Sequence, residues 1–212
     1  AVRRGTFHEV FKQVPSKVPG AVPALIGGDE IYRKSILVKP NSWVIVAKPE
    51  YAGYINTASR FLVPDRIRVN TAHATALYSE DPIVANMFFG LKPRDTLKED
   101  YLKVLVLWFN TTWGLLSILA ERTETEGLWI ELTKTKWRSM PAIDITSLDS
   151  NTTEQLIKVF EKYVDKQLKR IPEQFGQNNP DTIRLGIDLG FLKAINPTID
   201  EDKAKEALLR LY

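Results

Sequence analysis

The sequence predicts an α+β fold, in which a mixed or antiparallel β-sheet carries packed helices and is followed by a small C-terminal helical part. Three observations predict it. Short apolar, β-branched runs separated by proline and asparagine recur between residues 35 and 89, as strands do. From about residue 96 the apolar spacing lengthens to that of a helix. Beyond residue 149 acids and bases alternate around apolar stripes, as on amphipathic helices. With 212 residues, 44% hydrophobic and 26% charged, the chain can bury a core of its own.

Residues 1–30 read as an irregular N-terminal arm. Pro15, Pro19 and Pro23 recur every four residues and Gly20, Gly27 and Gly28 lie among and after them, which blocks a helix and removes ladder donors. A short helix is expected around residues 6–13. The α+β domain then occupies residues 31–145. Its strands are expected at 35–38, 43–47, 60–64, 66–70, 74–78 and 83–89, with Pro64-Asp65 as one turn and residues 79–82 separating the last pair. In Arg66-Ile-Arg-Val, basic and apolar residues alternate, so Arg66 and Arg68 face away from the buried side. Residues 96–119 are helical, and the polar trio Asn110, Thr111 and Thr112 ends or bends that helix as a buried structural cluster. A strand at 128–132 and a helical turn at 133–140 complete the domain.

The helical part covers residues 146–212. Residues 149–168 form its strongest helix, with Asn151 or Thr152 as cap and Leu156, Val159, Phe160, Tyr163, Val164 and Leu168 in one stripe. Two more helices, about 181–194 and 200–211, are marked off by Pro180 and Pro197.

Composition narrows the function classes. Without cysteine there are no disulfides and no cysteine-bound zinc, and His8 and His73 alone do not build a zinc site. No Gly-x-Ser-x-Gly elbow is present. No apolar run reaches the roughly 18 residues that span a bilayer, and no signal-peptide pattern opens the chain, so a soluble cytoplasmic protein is expected. The chain starts at Ala1, as a processed chain or a piece of a longer one would. A net charge of +3 does not by itself identify a nucleic-acid partner.

Three stretches carry a resemblance. Phe61-Leu-Val-Pro-Asp-Arg-Ile-Arg-Val-Asn runs on to Ser79; Leu105-Val-Leu-Trp-Phe-Asn-Thr-Thr-Trp-Gly is followed by Leu115-Leu116; and Arg122 to Pro141 contains Gly127, a short strand and Thr133-Lys-Thr-Lys-Trp-Arg. In order and spacing they resemble the C-terminal target-recognition region of adenine-N6 DNA methyltransferases and restriction-modification specificity modules. Thr111 stands where that family more often has serine. The resemblance implies a module that recognises double-stranded DNA for methylation of adenine. Its catalytic region, a separate domain or subunit, would hold S-adenosylmethionine. That region's own elements are missing here: no Asn/Asp-Pro-Pro-aromatic motif occurs, and Gly27-Gly28 is read as preceding a strand rather than following one. The chain is therefore expected to have no catalytic residue, no metal and no cofactor, and to perform no methyl transfer alone.

Recognition needs cations and hydroxyls on the phosphates and polar side chains on base edges. Thr133, Lys134, Thr135, Lys136 and Arg138 supply them within six positions, Arg66 and Arg68 add a basic strand face, and His73 is a further polar contact. Each has a structural counterpart: a solvated loop, ordinary surface arginines, a satisfied histidine. Trp108, Trp113, Trp129 and Trp137 suggest base stacking, yet the apolar neighbours of at least the first three suit core packing better. Two other classes compete. The apolar C-terminal helices suit a protein-interaction module that docks on a methyltransferase partner or on a second copy of the chain. Pro180-Asp181 with Glu201-Asp202-Lys203 matches the magnesium-dependent pattern of restriction-type nucleases, but it falls on helices where that chemistry wants a strand.

Overall fold

The computed structural model describes residues 4–27, 34–92, 98–124, 129–176 and 179–212. In chain order these form α1 (Arg4–Val10), β1 (Phe11–Val14), β2 (Val22–Leu25), β3 (Ser42–Val46), a 3-10 helix (Pro49–Thr57), β4 (Ser59–Pro64), β5 (Arg66–Arg68), β6 (Leu77–Ala85) and β7 (Phe88–Leu91). There follow α2 (Asp100–Phe109), α3 (Thr112–Ala120), β8 (Thr123–Glu124), β9 (Trp129–Glu131), α4 (Lys134–Ser139), α5 (Ser150–Tyr163), α6 (Ile171–Gln174), α7 (Thr182–Ile195) and α8 (Glu201–Leu211). The fold is α+β. A six-stranded sheet runs β1-β3-β2-β6-β4-β7, antiparallel throughout except where β2 meets β6, and a three-stranded sheet runs β5-β9-β8.

The N-terminal stretch is not an irregular arm. Phe7, Val10 and Phe11 bury themselves against Ala24, Val44 and Val84, and β1 and β2 flank β3. Pro15 and Pro19 fall in the β1–β2 connection, where they break nothing. Pro23 lies on β2 opposite Trp43, but pairing with β6 begins only at Ala24, so its missing donor faces no ladder on that side. Local composition described the connection correctly and missed the strands, because their shared partner β3 lies well downstream, Phe11 pairing with Val46 and Val22 with Val44.

Two further expectations change. Residues 79–82 do not separate strands: β6 continues through them, and its pairing with β4 jumps from Phe61↔Tyr78 to Ser59↔Ile83. Glu80, Asp81 and Pro82 bulge outward there, which is how a proline fits inside a strand. Residues 35–38 make only a bridge, Leu37 to Tyr78, though Ile36 and Val38 are buried. Helix α5 is capped by Asp149, which accepts from Thr152 N at 2.7 Å, rather than by Asn151 or Thr152, and it ends at Tyr163.

One hydrophobic core extends from Leu25 to Ala194 and is shared by the six-stranded sheet, α2, α3, α5 and α7. Asn110 sits at its centre: Oδ1 accepts from Thr75 N at 3.0 Å, and Nδ2 donates to Ala76 O at 2.8 Å and Val106 O at 2.9 Å. Thr111 then caps α3 by accepting from Gly114 N, and the two helices bend by 70°. The trio 110–112 therefore breaks the helix as its residue types predict. No single helix among the described residues is long and apolar enough to cross a membrane; only the bent α2–α3 pair has the composition, and its apolar residues line the core.

Candidate nucleic-acid interface

The small sheet carries the first basic cluster. Ile67 pairs with Ile130 and both are buried, so the residues either side of them turn outward. Arg66 stands opposite Glu131 and Arg68 opposite Trp129, all exposed. The guanidinium carbons of Arg66 and Arg68 lie 5.8 and 5.9 Å from the Trp129 ring centre, within cation–π range. Trp129 is 38% exposed, so of the tryptophans considered for stacking it is the accessible one. Trp137 is the core residue: its Nε1 donates to Pro64 O at 2.9 Å and its ring meets Phe109 edge-on at 5.3 Å. The alternation Leu-Trp-Ile-Glu-Leu could have shown this, because Trp129 shares the outward phase with Glu131.

Helix α4 carries the second cluster. Trp137 fixes the helix to the end of β4, and Thr133 caps it by accepting from Lys136 N at 3.3 Å. That cap uses the Thr133 hydroxyl and one of the N–H groups that a phosphate would otherwise meet. Lys134, Thr135 and Arg138 are exposed. Lys134 and Arg138 border a groove of about 250 Å³ together with Asn56, Thr57, Gly90 and Lys92. A Cβ at Gly90 would lie 2.5 Å from Thr57 O, so glycine is what lets the 3-10 helix end approach β7. Among the described residues the groove lining contains three cations and no acid, and none of the three is ion-paired there. Like charges held together without a counter-charge are a site for an anion. Lys92, some forty residues from Lys134 in sequence, has no local signal that marks it.

Two expected contacts lie elsewhere. Lys136 is half-buried, and its Nζ donates to Glu121 O and Thr123 Oγ1, tying α4 to the α3–β8 connection. His73 is buried, with Nδ1 2.6 Å from Leu168 O and its own carbonyl accepting from Gln174 Nε2 at 2.7 Å. It fastens the helical part to the sheet and is only 8% exposed.

The acids of the nuclease-like pattern are also engaged. Asp181 is buried and caps α7, accepting from Ile183 N, Arg184 N and Lys169 N. Glu201 stands on α8 and pairs with Lys193 at 2.7 Å, while Lys203 pairs with Asp200 at 3.3 Å. Gly27 follows β2, and its N–H donates to Asn86 Oδ1 at 3.0 Å. Residues 28–33 after it, Gly28 included, lie outside the described residues. The next described segment is the bridge at 35–38.

No family model matches this sequence, and no curated protein matches it. Among solved structures it is similar to the type IIG restriction endonuclease BpuSI, with a TM-score of 0.58 at 11% identity over 91% of this chain and 25% of that one. The chain thus spans about a quarter of the structure it resembles. The similarity is one of fold, to part of a restriction enzyme.

Proposed function

We propose that this chain is the DNA-recognition module of a restriction-modification system of the adenine-N6 methyltransferase type. It holds duplex DNA while a separate catalytic region or subunit, using S-adenosylmethionine, acts on the adenine. The observation that carries this reading is the groove of Lys92, Lys134 and Arg138, whose described lining holds no acid, borne on a fold similar to part of a restriction endonuclease. Three cations that converge on one groove, unpaired among the described residues, suit a phosphate backbone, which supplies most of the affinity in sequence-independent contact. The resemblance of residues 61–141 to target-recognition regions supports the same assignment.

The test is a salt titration of duplex binding by the intact chain and by Lys92→Ala/Lys134→Ala/Arg138→Ala. The variant should bind on the order of a hundredfold more weakly near 0.1 M salt, and its log–log salt slope should fall by about 0.9 for each lost phosphate contact. Equal affinity and slope would remove the groove from the interface.

A further inference from the structure

The two basic clusters differ in a way that assigns them different work. The charged residues described in the groove beside α4 are all cations. The outer face of β5 and β9 places Glu131 directly across from Arg66, and Trp129 across from Arg68. A carboxylate in the middle of a phosphate clamp would repel its ligand. Against the edges of base pairs it is an asset, since the cytosine amino group donates to it while arginine donates to guanine O6 and N7. We infer that the β5–β9 ribbon is the base-reading element, and that its ligand is duplex DNA with two guanines no more than two base steps apart, the one met by Arg66 lying in a G·C pair whose cytosine faces Glu131. This rests on the duplex-DNA reading above and gives it a sequence preference.

Dimensions agree. Neighbouring strands lie about 4.8 Å apart, so β5 and β9 together are narrower than the roughly 12 Å major groove, with the two-residue β8 on the far side of β9. Arg66 and Arg68 are two residues apart on a strand, so about 6.8 Å, against about 3.4 Å per base step. Both side chains are long and exposed, and a guanidinium held within cation–π range of an aromatic ring keeps its N–H edges for bidentate bonding while losing rotamer freedom. Trp129 is accordingly a positioning residue that prearranges both arginines. The buried pair Ile67 and Ile130 fixes the register that makes this possible.

The experiment is selection of bound duplexes from a pool with a randomised core, using the intact chain and the variants Arg66→Lys, Arg68→Lys, Glu131→Gln, Trp129→Ala and Trp129→Phe. The parent chain should enrich two guanines within two base steps. Lysine retains charge but cannot make the fork, so each arginine variant should lose preference at one guanine, by about 5- to 100-fold beyond any loss for random duplex. Glu131→Gln should relax the cytosine opposite the guanine that Arg66 reads. Trp129→Ala should weaken both preferences and Trp129→Phe should restore them, a rescue that a merely structural role at an exposed position would not show. Duplex binding without guanine enrichment, or enrichment untouched by the arginine variants, overturns the ribbon assignment and leaves the DNA-binding reading in place. No binding to any duplex overturns both.

Discussion

Arg184 and Arg138 are both arginines on helices, and their surroundings give them opposite roles. Arg184 is fully buried: its Nε donates to Gln174 Oε1 at 2.8 Å, its Nη1 donates to Asn110 O, and its plane lies over Phe175. Burial pushes its pKa below the ordinary arginine value, while Asp188, Tyr212 and Asp181 nearby act to raise it. Asp188, also buried, accepts from Thr112 N at 2.9 Å, from the Thr112 hydroxyl and from Tyr212 Oη at 2.6 Å. The phenol of Tyr212 is correspondingly held well above its usual range, by burial first and by Asp188 second. Arg138 stands in an open groove with two other cations and, among the described residues, no acid. In the helical part, charge is consumed by tertiary hydrogen bonds; beside α4 it is left for a ligand. A cation's role is thus set by whether the fold supplies its counter-charge.

The sharpest break of that contrast is Asp188→Ala. It strands a buried arginine and removes the acceptor for Thr112 and Tyr212, so we expect a loss of about 3–5 kcal/mol in urea unfolding. A loss below about 1 kcal/mol would show that the buried set carries little. The groove triple variant should do the reverse, losing DNA affinity as above with unfolding free energy unchanged within about 0.5 kcal/mol. Lys136→Ala falls between them: the loss of its bonds to Glu121 and Thr123 should cost about 1 kcal/mol and leave the salt slope as it was. A flattened slope would move Lys136 into the interface. Mildest of all is acidification. Asp149 and Asp200 have lowered pKa values because helix N–H groups, of Thr152 and Lys203 respectively, donate to them. A depressed folded-state value means the contribution is complete above the unfolded pKa and lost as pH falls through the folded one. Partial loss of helical signal from α5 and α8 below about pH 4, followed by circular dichroism, would register it.

The legible part of the site is the part written in short range. Alternation placed Arg66 and Arg68 outward, and the helical turn expected at residues 133–140 forms as α4. His73, Lys136 and Lys92 show the limit. Each is a polar residue in a plausible surface stretch, yet Leu168 covers the first, Glu121 and Thr123 take the second, and the third is carried to the groove by β7. Similarly, Pro82 reads locally as a strand break, and only the bulge opposite β4 permits it inside β6.

By itself the sequence determined the class of fold, most strands and helices of the central region, the break at Asn110–Thr112 and the helical tail, since apolar period, proline placement and capping side chains act within a few residues of one another. The tertiary structure decided that the first strands join the main sheet, that Asp188 and Arg184 lie in the interior, and that Lys92, Lys134 and Arg138 share one groove. Those outcomes depend on backbone pairing and side-chain burial between distant segments, whose energies no local window contains.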